Sequence, residues 1–170
     1  WLVGGKSDAD QGRVFRWVGG TWLEVQGPAT RALSAVAGTS DSDVFATGLT
    51  GEVFHWDGAS WGVVGRSMAP AISWLGGITV VGSQRWAVGF SGVVMNGSQL
   101  LWTQERISTA AVSLFDVHAA GTLAVAVGSD TFATHTTLVL ERTASTWGSI
   151  PSLTSTRLNR VFLLDSQEGF

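Results

Sequence analysis

Between residues 33 and 64, apolar positions fall into four short runs with the composition of β-strands, at residues 33–37, 44–47, 52–56 and 60–64. Polar or glycine-containing segments separate the runs. Asp57-Gly58, between the third and fourth runs, is typical of a tight hairpin turn. The pattern predicts a four-stranded antiparallel meander.

The third run shows period-two alternation most clearly. Val53 and His55 are expected on one face of the sheet, and Phe54 and Trp56 on the other. His55 takes the position that Arg16 holds in an earlier run of the same type, which favours an exposed strand face for both side chains.

The same order of runs recurs at intervals of about 40 residues, the length of a supersecondary unit in a repeat protein. A glycine ends the second run of each unit, at Gly4, Gly48, Gly89 and Gly128. A tryptophan recurs in the fourth run, at Trp22, Trp61, Trp102 and Trp147. Four-stranded units of this length predict an all-β protein of the β-propeller type, with one repeat region over residues 1–170. Another all-β solenoid is the alternative, and the short Val-, Thr- and Trp-rich runs disfavour helices.

The two ends of the chain carry incomplete units. The first unit, beginning at Trp1, contains runs two to four and no first run. Residues 158–164 have the composition of a first run, and Phe170 holds the position of Trp1. Residues 158–164 are therefore expected either to pair with residues 1–4 and close a ring, or to continue a longer array.

The second unit resembles the repeats of bacterial and plastid propellers related to photosystem II assembly and stability factors, and more loosely the Asp-box repeats of sialidase-like propellers. The residues that carry the resemblance are Leu33, Val36, Gly48, Gly51, Asp57, Gly58 and Trp61. The strict Asp-box pattern S-x-D-x-G-x-x-W is not met, because Asp57 and Gly58 are adjacent. The resemblance implies a propeller fold and a scaffold whose partners vary.

Charge and composition narrow the classes of partner. The chain has 10 basic and 13 acidic residues, a net charge of -3, and no basic stripe that could neutralise phosphates. Nucleic acid is therefore not an expected partner. No apolar run approaches the roughly 20 residues that span a bilayer. Cysteine is absent, which excludes disulfides and thiolate metal sites.

Aromatic residues that depart from the repeat are the candidates for contact with a protein or glycan partner. Trp17 and Trp56 end the third run in two units only, and Trp74 has no counterpart. An exposed indole can stack on a sugar ring, although packing is the more usual role of such side chains. The tryptophans that do repeat are expected to wedge between neighbouring blades.

Metal and catalytic signatures are weak. Asp8 and Asp10 belong to a D-x-D-x-G segment, a spacing that can wrap calcium, but no later acidic residue completes the ligand set. A solvated polar loop is the favoured interpretation, and no other cofactor is expected. His55, His118 and His135 fall in different units without a ligand spacing. Serine-nucleophile and phosphate-binding motifs are absent, and so is the tyrosine that sialidase-type catalysis requires.

The sequence therefore predicts a non-catalytic binding or assembly scaffold that contacts a protein or glycan through loops at the blade rim, especially residues 6–12 and 129–136. We expect it to act extracellularly, at a cell surface or in the periplasm, and self-association could complete its ring. A structural part of a larger enzyme or adhesin, and a lectin-like propeller using Trp17, Trp56 or Trp74, are the alternatives.

Overall fold

The computed structural model describes residues 1–5, 11–28, 31–68, 74–106, 112–130, 136–143, 145–151 and 156–165. These residues form fifteen β-strands in four antiparallel sheets, and no helix occurs among them. No described segment is thus a helix with the length and hydropathy needed to cross a bilayer. The all-β prediction is confirmed.

Each sheet is a meander of strands that are consecutive in sequence. The first sheet contains β1 (Leu2–Gly5), β2 (Gly12–Val18) and β3 (Thr21–Val25). The second contains β4 (Leu33–Ser40), β5 (Asp43–Gly48), β6 (Glu52–Trp56) and β7 (Trp61–Arg66). The third contains β8 (Leu75–Val81), β9 (Gln84–Gly89), β10 (Val93–Gly97) and β11 (Trp102–Arg106). The fourth contains β12 (Val112–Ala120), β13 (Leu123–Asp130), β14 (Thr137–Thr143) and β15 (Thr146–Ile150). The first unit has three strands rather than four, because it lacks the first run.

Hydrophobic cores lie between consecutive sheets. Ala46 and Phe54 of the second sheet pack with Val14 of the first. Phe45 and Val53, which alternate with them along β5 and β6, pack instead with residues of the third sheet. A further core joins the third and fourth sheets. Successive side chains of one strand therefore serve two different cores, as the period-two alternation predicts.

The repeating tryptophan faces the preceding sheet in three of the four units. Trp61 packs on the core between the first and second sheets, Trp102 on the next core, and Trp147 on the core between the third and fourth sheets. The wedge prediction is confirmed for these three residues. Trp22 is the exception, with 44% of its area exposed, because no sheet formed by the described residues packs on its side of the first sheet.

The repeating glycine leaves room for the backbone of the first strand in its own sheet. Gly48, Gly89 and Gly128 pair with the leucine that opens this strand, Leu33, Leu75 or Leu114. A Cβ at these glycines would lie 2.0–2.3 Å from the carbonyl oxygen that precedes the leucine. Among the described residues, nothing lies within 4 Å of the Cβ position of Gly4, and its sheet contains no such strand.

Residues 158–164 form no strand, contrary to the prediction of a fifth first strand, although Leu163 takes part in a single β-bridge. They run along β12, where the backbone N–H of Val161 donates to Asp116 Oδ2 at 3.0 Å and that of Leu163 donates to His118 Nδ1 at 3.2 Å. The order of the first sheet is β1-β2-β3, so the described residues show no pairing of this segment with β1. The position of Phe170 falls outside the described residues.

Candidate functional site

The three candidate contact tryptophans lie in different parts of the molecule. Trp17 is on the free face of the first sheet, 54% exposed, with its ring edge-on to Trp22 at 5.2 Å. Trp56 ends β6 beside the boundary between the first and second sheets. Trp74 precedes β8 and contacts Phe90 and Phe115. They do not form a single site.

Trp74 is held by its own fold contacts. Its Nε1 donates to Ser34 Oγ at 2.7 Å, and its ring centroid lies 4.9 Å from that of Phe90 and 6.3 Å from that of Phe115. These contacts link elements of the second, third and fourth sheets. Packing within the chain accounts for the tryptophan at position 74, and no external binding partner is needed to explain it.

A groove runs between the first and second sheets. Residues 25–28, at the end of β3 and just beyond it, form one wall, and Trp56, Ala59, Ser60 and Trp61 form the other. The lining residues combine two tryptophans with Gln26, Ser60 and Pro28. Such a mixture of aromatic faces and a few polar groups is typical of recognition grooves.

The aromatic wall of the groove is rigid. Trp56 Nε1 donates to the backbone oxygen of Asp41 at 3.0 Å, which fixes the orientation of the indole. Trp1, Trp56 and Trp61 have pairwise centroid distances of 5.7, 5.9 and 5.8 Å. A wall that is ordered before binding loses little entropy when a ligand docks. Trp61 was expected only as a packing residue. In the structure it packs on the core between the first two sheets and also lines the groove.

A cationic group lies at the edge of this cluster. The Arg16 guanidinium is 5.4 Å from the Trp1 ring centroid and 3.1 Å from Asp41 Oδ2. The ion pair reaches from the first sheet to the turn before β5, but the Asp41 side chain is 81% exposed, so the pair contributes little to the position of the groove's walls.

A second polar cluster, centred on Asp43, lies between the second and third sheets. Asp43 Oδ1 is 2.9 Å from His55 Nε2 and 3.3 Å from Gln99 Nε2. Its Oδ2 accepts from Thr39 Oγ1 at 2.5 Å and from Arg85 at 3.2 Å. Burial acts to raise the pKa of Asp43, but these hydrogen bonds and the Arg85 charge together hold the pKa below its usual value. All these partners come from the chain itself, so the cluster is a connection between sheets.

The sequence interpretation missed this cluster. His55 was predicted to lie on an exposed face, whereas its side chain is largely buried and stacks on Phe45 at 4.4 Å. Arg85 was the one indication of this cluster in the sequence, because it occupies the repeat position that Val44 and Ala124 hold in two other units. A charged residue at an apolar position of a repeat suggests a specific partner.

The metal candidates receive no support. Asp8, Asp10 and His135 lie outside the described residues, as do most of residues 6–12 and 129–136. His55 and His118 belong to different sheets. Within the described ranges, no group of three or more His, Cys, Asp or Glu side chains could hold a metal ion.

Comparison of the sequence with protein-family models and with curated proteins finds no match. The resemblance to assembly-factor and Asp-box propellers therefore stays an expectation from the motifs.

Proposed function

We propose that the chain is a non-catalytic binding or assembly scaffold of the propeller type, with its four sheets as blades, and that a protein partner docks at the groove between the first two blades. The rigid indole wall of that groove carries the proposal. Two tryptophans with fixed orientation stand opposite the Gln26–Pro28 segment and leave an apolar surface edged by polar groups.

The shape and chemistry of the groove suit an extended segment of the partner. An aromatic wall offers large contact area at low entropic cost, and the backbone of residues 25–28 offers hydrogen-bonding groups. The blade cores behind the groove keep its two walls together, so binding needs no rearrangement of the scaffold.

A glycan ligand is the second candidate, favoured by one observation. Gln26 and Ser60, which carry an amide and a hydroxyl group, line the same groove as Trp56. An indole face flanked by amide and hydroxyl groups can stack on a pyranose ring and bind its hydroxyls.

Selection from a random peptide library on the full chain, together with a glycan array, tests both candidates. We expect selected ligands to bind Trp56→Ala at least about tenfold more weakly by isothermal titration calorimetry. Gln26→Ala tests the opposite wall without removing a packed ring, and we expect a smaller loss there.

Trp17→Ala is the matched control, since Trp17 holds the equivalent repeat position outside the groove. Its affinity should equal that of the unmodified chain. Equal binding by the Trp56, Gln26 and unmodified forms would place the site elsewhere, and a blank glycan array would remove the glycan candidate.

A further inference from the structure

A pocket of about 430 Å³ lies between the second and third sheets. Ser42, His55 and Asp57 of the second sheet and its turns line it together with Gln99 and Leu100, which belong to the turn between β10 and β11. Successive residues of β6 point to opposite faces, so the pocket is on the other side of this strand from the groove. Its volume is within the range of small-ligand pockets.

The pocket has room for a ligand because a glycine stands beside His55. Gly62 pairs with His55 across β6 and β7, so a side chain at position 62 would lie on the same face of the sheet as His55. No described atom is within 4 Å of the Cβ position of Gly62. In the first unit, Leu23 occupies this position, opposite Arg16. The strand therefore accepts a large side chain there, and the glycine leaves the space open.

Asp43 determines which atoms His55 and Gln99 present to the pocket. The lowered pKa of Asp43 keeps its carboxylate ionised, and an ionised carboxylate can only accept hydrogen bonds. The Nε2 atoms of His55 and Gln99 both donate to Asp43 Oδ1, at 2.9 and 3.3 Å. His55 Nδ1 of the neutral imidazole and Gln99 Oε1 are left as acceptors. Neither atom makes a hydrogen bond within the described part of the chain.

Asp57 adds a negative charge to these acceptors. Its Oδ1 accepts from the backbone N–H groups of Ala59 and Ser60, both at 2.8 Å, and these hydrogen bonds lower the pKa of Asp57. No lysine or arginine is among the described residues that line the pocket. Val64 and Leu100, which is 83% exposed, add apolar surface. The pocket thus combines hydrogen-bond acceptors, one carboxylate and an apolar wall.

We propose that this pocket binds a primary ammonium group on an aliphatic stem, from a lysine side chain of a protein partner or from a small free amine. An ammonium has one positive charge and three N–H donors, which match the Asp57 carboxylate, His55 Nδ1 and Gln99 Oε1. The stem would lie on Leu100. A guanidinium suits the pocket less well, because it pairs best with both oxygens of a free carboxylate and Asp57 Oδ1 already accepts two backbone N–H groups. The site is separate from the groove at Trp56, and neither proposal depends on the other.

A nuclear magnetic resonance titration of the full chain with butylammonium tests the proposal. We expect saturable shifts of the backbone amide signals of Ser42, Asp57 and Gln99. The neutral analogue 1-butanol should bind at least about fivefold more weakly, because it lacks the charge. Nα-acetyl-lysine methylamide distinguishes the two sources of the ammonium. Binding as strong as that of butylammonium would indicate a lysine within a chain, and binding of butylammonium alone would indicate a small free amine.

Two variants test the position of the site. Gly62→Leu fills the pocket and should weaken butylammonium binding at least about tenfold, with the fold kept, since Leu23 occupies the same repeat position. Asp57→Asn removes the charge, while an asparagine Oδ1 can still accept from the backbone N–H groups of the turn. We expect this variant to bind butylammonium about fivefold more weakly.

Asp41→Asn is the matched control for charge. It removes a carboxylate that is 81% exposed and is not among the described residues of the pocket lining, so butylammonium should bind as it does to the unmodified chain. Equal binding by the Gly62→Leu and unmodified forms would overturn the proposal. Equal affinities for 1-butanol and butylammonium, or the absence of saturable shifts, would overturn it as well.

Discussion

At the scale of single residues, glycines decide where the large aromatic rings fit. A Cβ on Gly97 would lie 2.1 Å from the Trp102 indole, and one on Gly65 would lie 2.5 Å from Trp102 Cβ. The indole therefore rests on bare backbone from two sheets. Neither glycine is held by a left-handed backbone conformation, so close contact is the reason for each.

Gly97→Ala is expected to destabilise the fold by about 1–3 kcal/mol, because the methyl group would displace the buried Trp102 ring. Gly62→Ala, in β7, should raise the unfolding free energy by less than about 1 kcal/mol. The methyl group restricts the conformations open to the unfolded chain and meets no described neighbour within 4 Å in the folded chain. Urea denaturation of both variants measures the difference. Equal midpoints would contradict the proposed contact.

Asp43 gives the fold an acid-sensitive element. The pKa of Asp43 is lower in the folded chain than in the unfolded chain. The ionised carboxylate therefore contributes to the free energy of unfolding, and this contribution is fully present above the unfolded-state pKa. That stability is lost as the pH falls through the folded pKa. Asp43→Asn should cost about 2–3 kcal/mol at pH 7, because Arg85 and His55 lose their carboxylate partner.

Urea midpoints measured from pH 7 down to pH 2.5 test this prediction. The difference between the unmodified chain and Asp43→Asn should shrink toward acid pH. Asp57→Asn provides a comparison: the pKa of the Asp57 carboxyl is also lowered, but the group is exposed in a turn and an asparagine Oδ1 can still accept from the backbone N–H groups of Ala59 and Ser60, so we expect a smaller pH-dependent difference. A constant difference across the range would contradict the assignment to Asp43.

At the scale of elements, the same residue in the same strand of different units has different surroundings. Trp102 is buried against the second sheet, whereas Trp22 is about half exposed on the free face. The Nε1 atoms of Trp61, Trp102 and Trp147 are buried without a hydrogen-bond partner among the described residues. These rings therefore stabilise their interfaces through apolar area rather than through their N–H groups.

Trp102→Ala should lower the unfolding free energy by about 3–5 kcal/mol, the usual cost of emptying a buried aromatic site. Trp22→Ala should cost less than about 2 kcal/mol in the monomer, because much of its area is already in water. Thermal or urea unfolding at low protein concentration compares the two. Costs of similar size would show that Trp22 is covered in solution.

At the scale of the whole molecule, the sheets are joined in chain order by one apolar core at each boundary and by cationic groups at its edge. Arg85 of the third sheet lies 5.4 Å from the Phe45 ring centroid of the second. Arg142 of the fourth lies 4.4 Å from the Trp86 ring centroid of the third. Phe45 and Trp86 hold the same repeat position, so a cation–aromatic contact occurs at the same place at two boundaries, although Arg85 comes from a second strand and Arg142 from a third.

The repeat was predictable from sequence because it depends on local order. Turn residues, period-two alternation and the interval of about 40 residues indicated the strands of the second unit, and the missing first strand of the first unit was also foreseen. The burial of His55 and the partners of Asp43 were not foreseen, since Arg85 and Gln99 come from another sheet. The separation of Trp17, Trp56 and Trp74 likewise depends on which sheet faces which.

The amino-acid sequence by itself determined the antiparallel units, their boundaries and the two faces of each strand, because hydrogen-bonding geometry and side-chain alternation act within a few residues. Only the tertiary structure decided which faces are covered. Burial of Trp102 and exposure of Trp22 follow from the presence or absence of a neighbouring sheet. No local pattern carries that information, because the contacts join residues from different units.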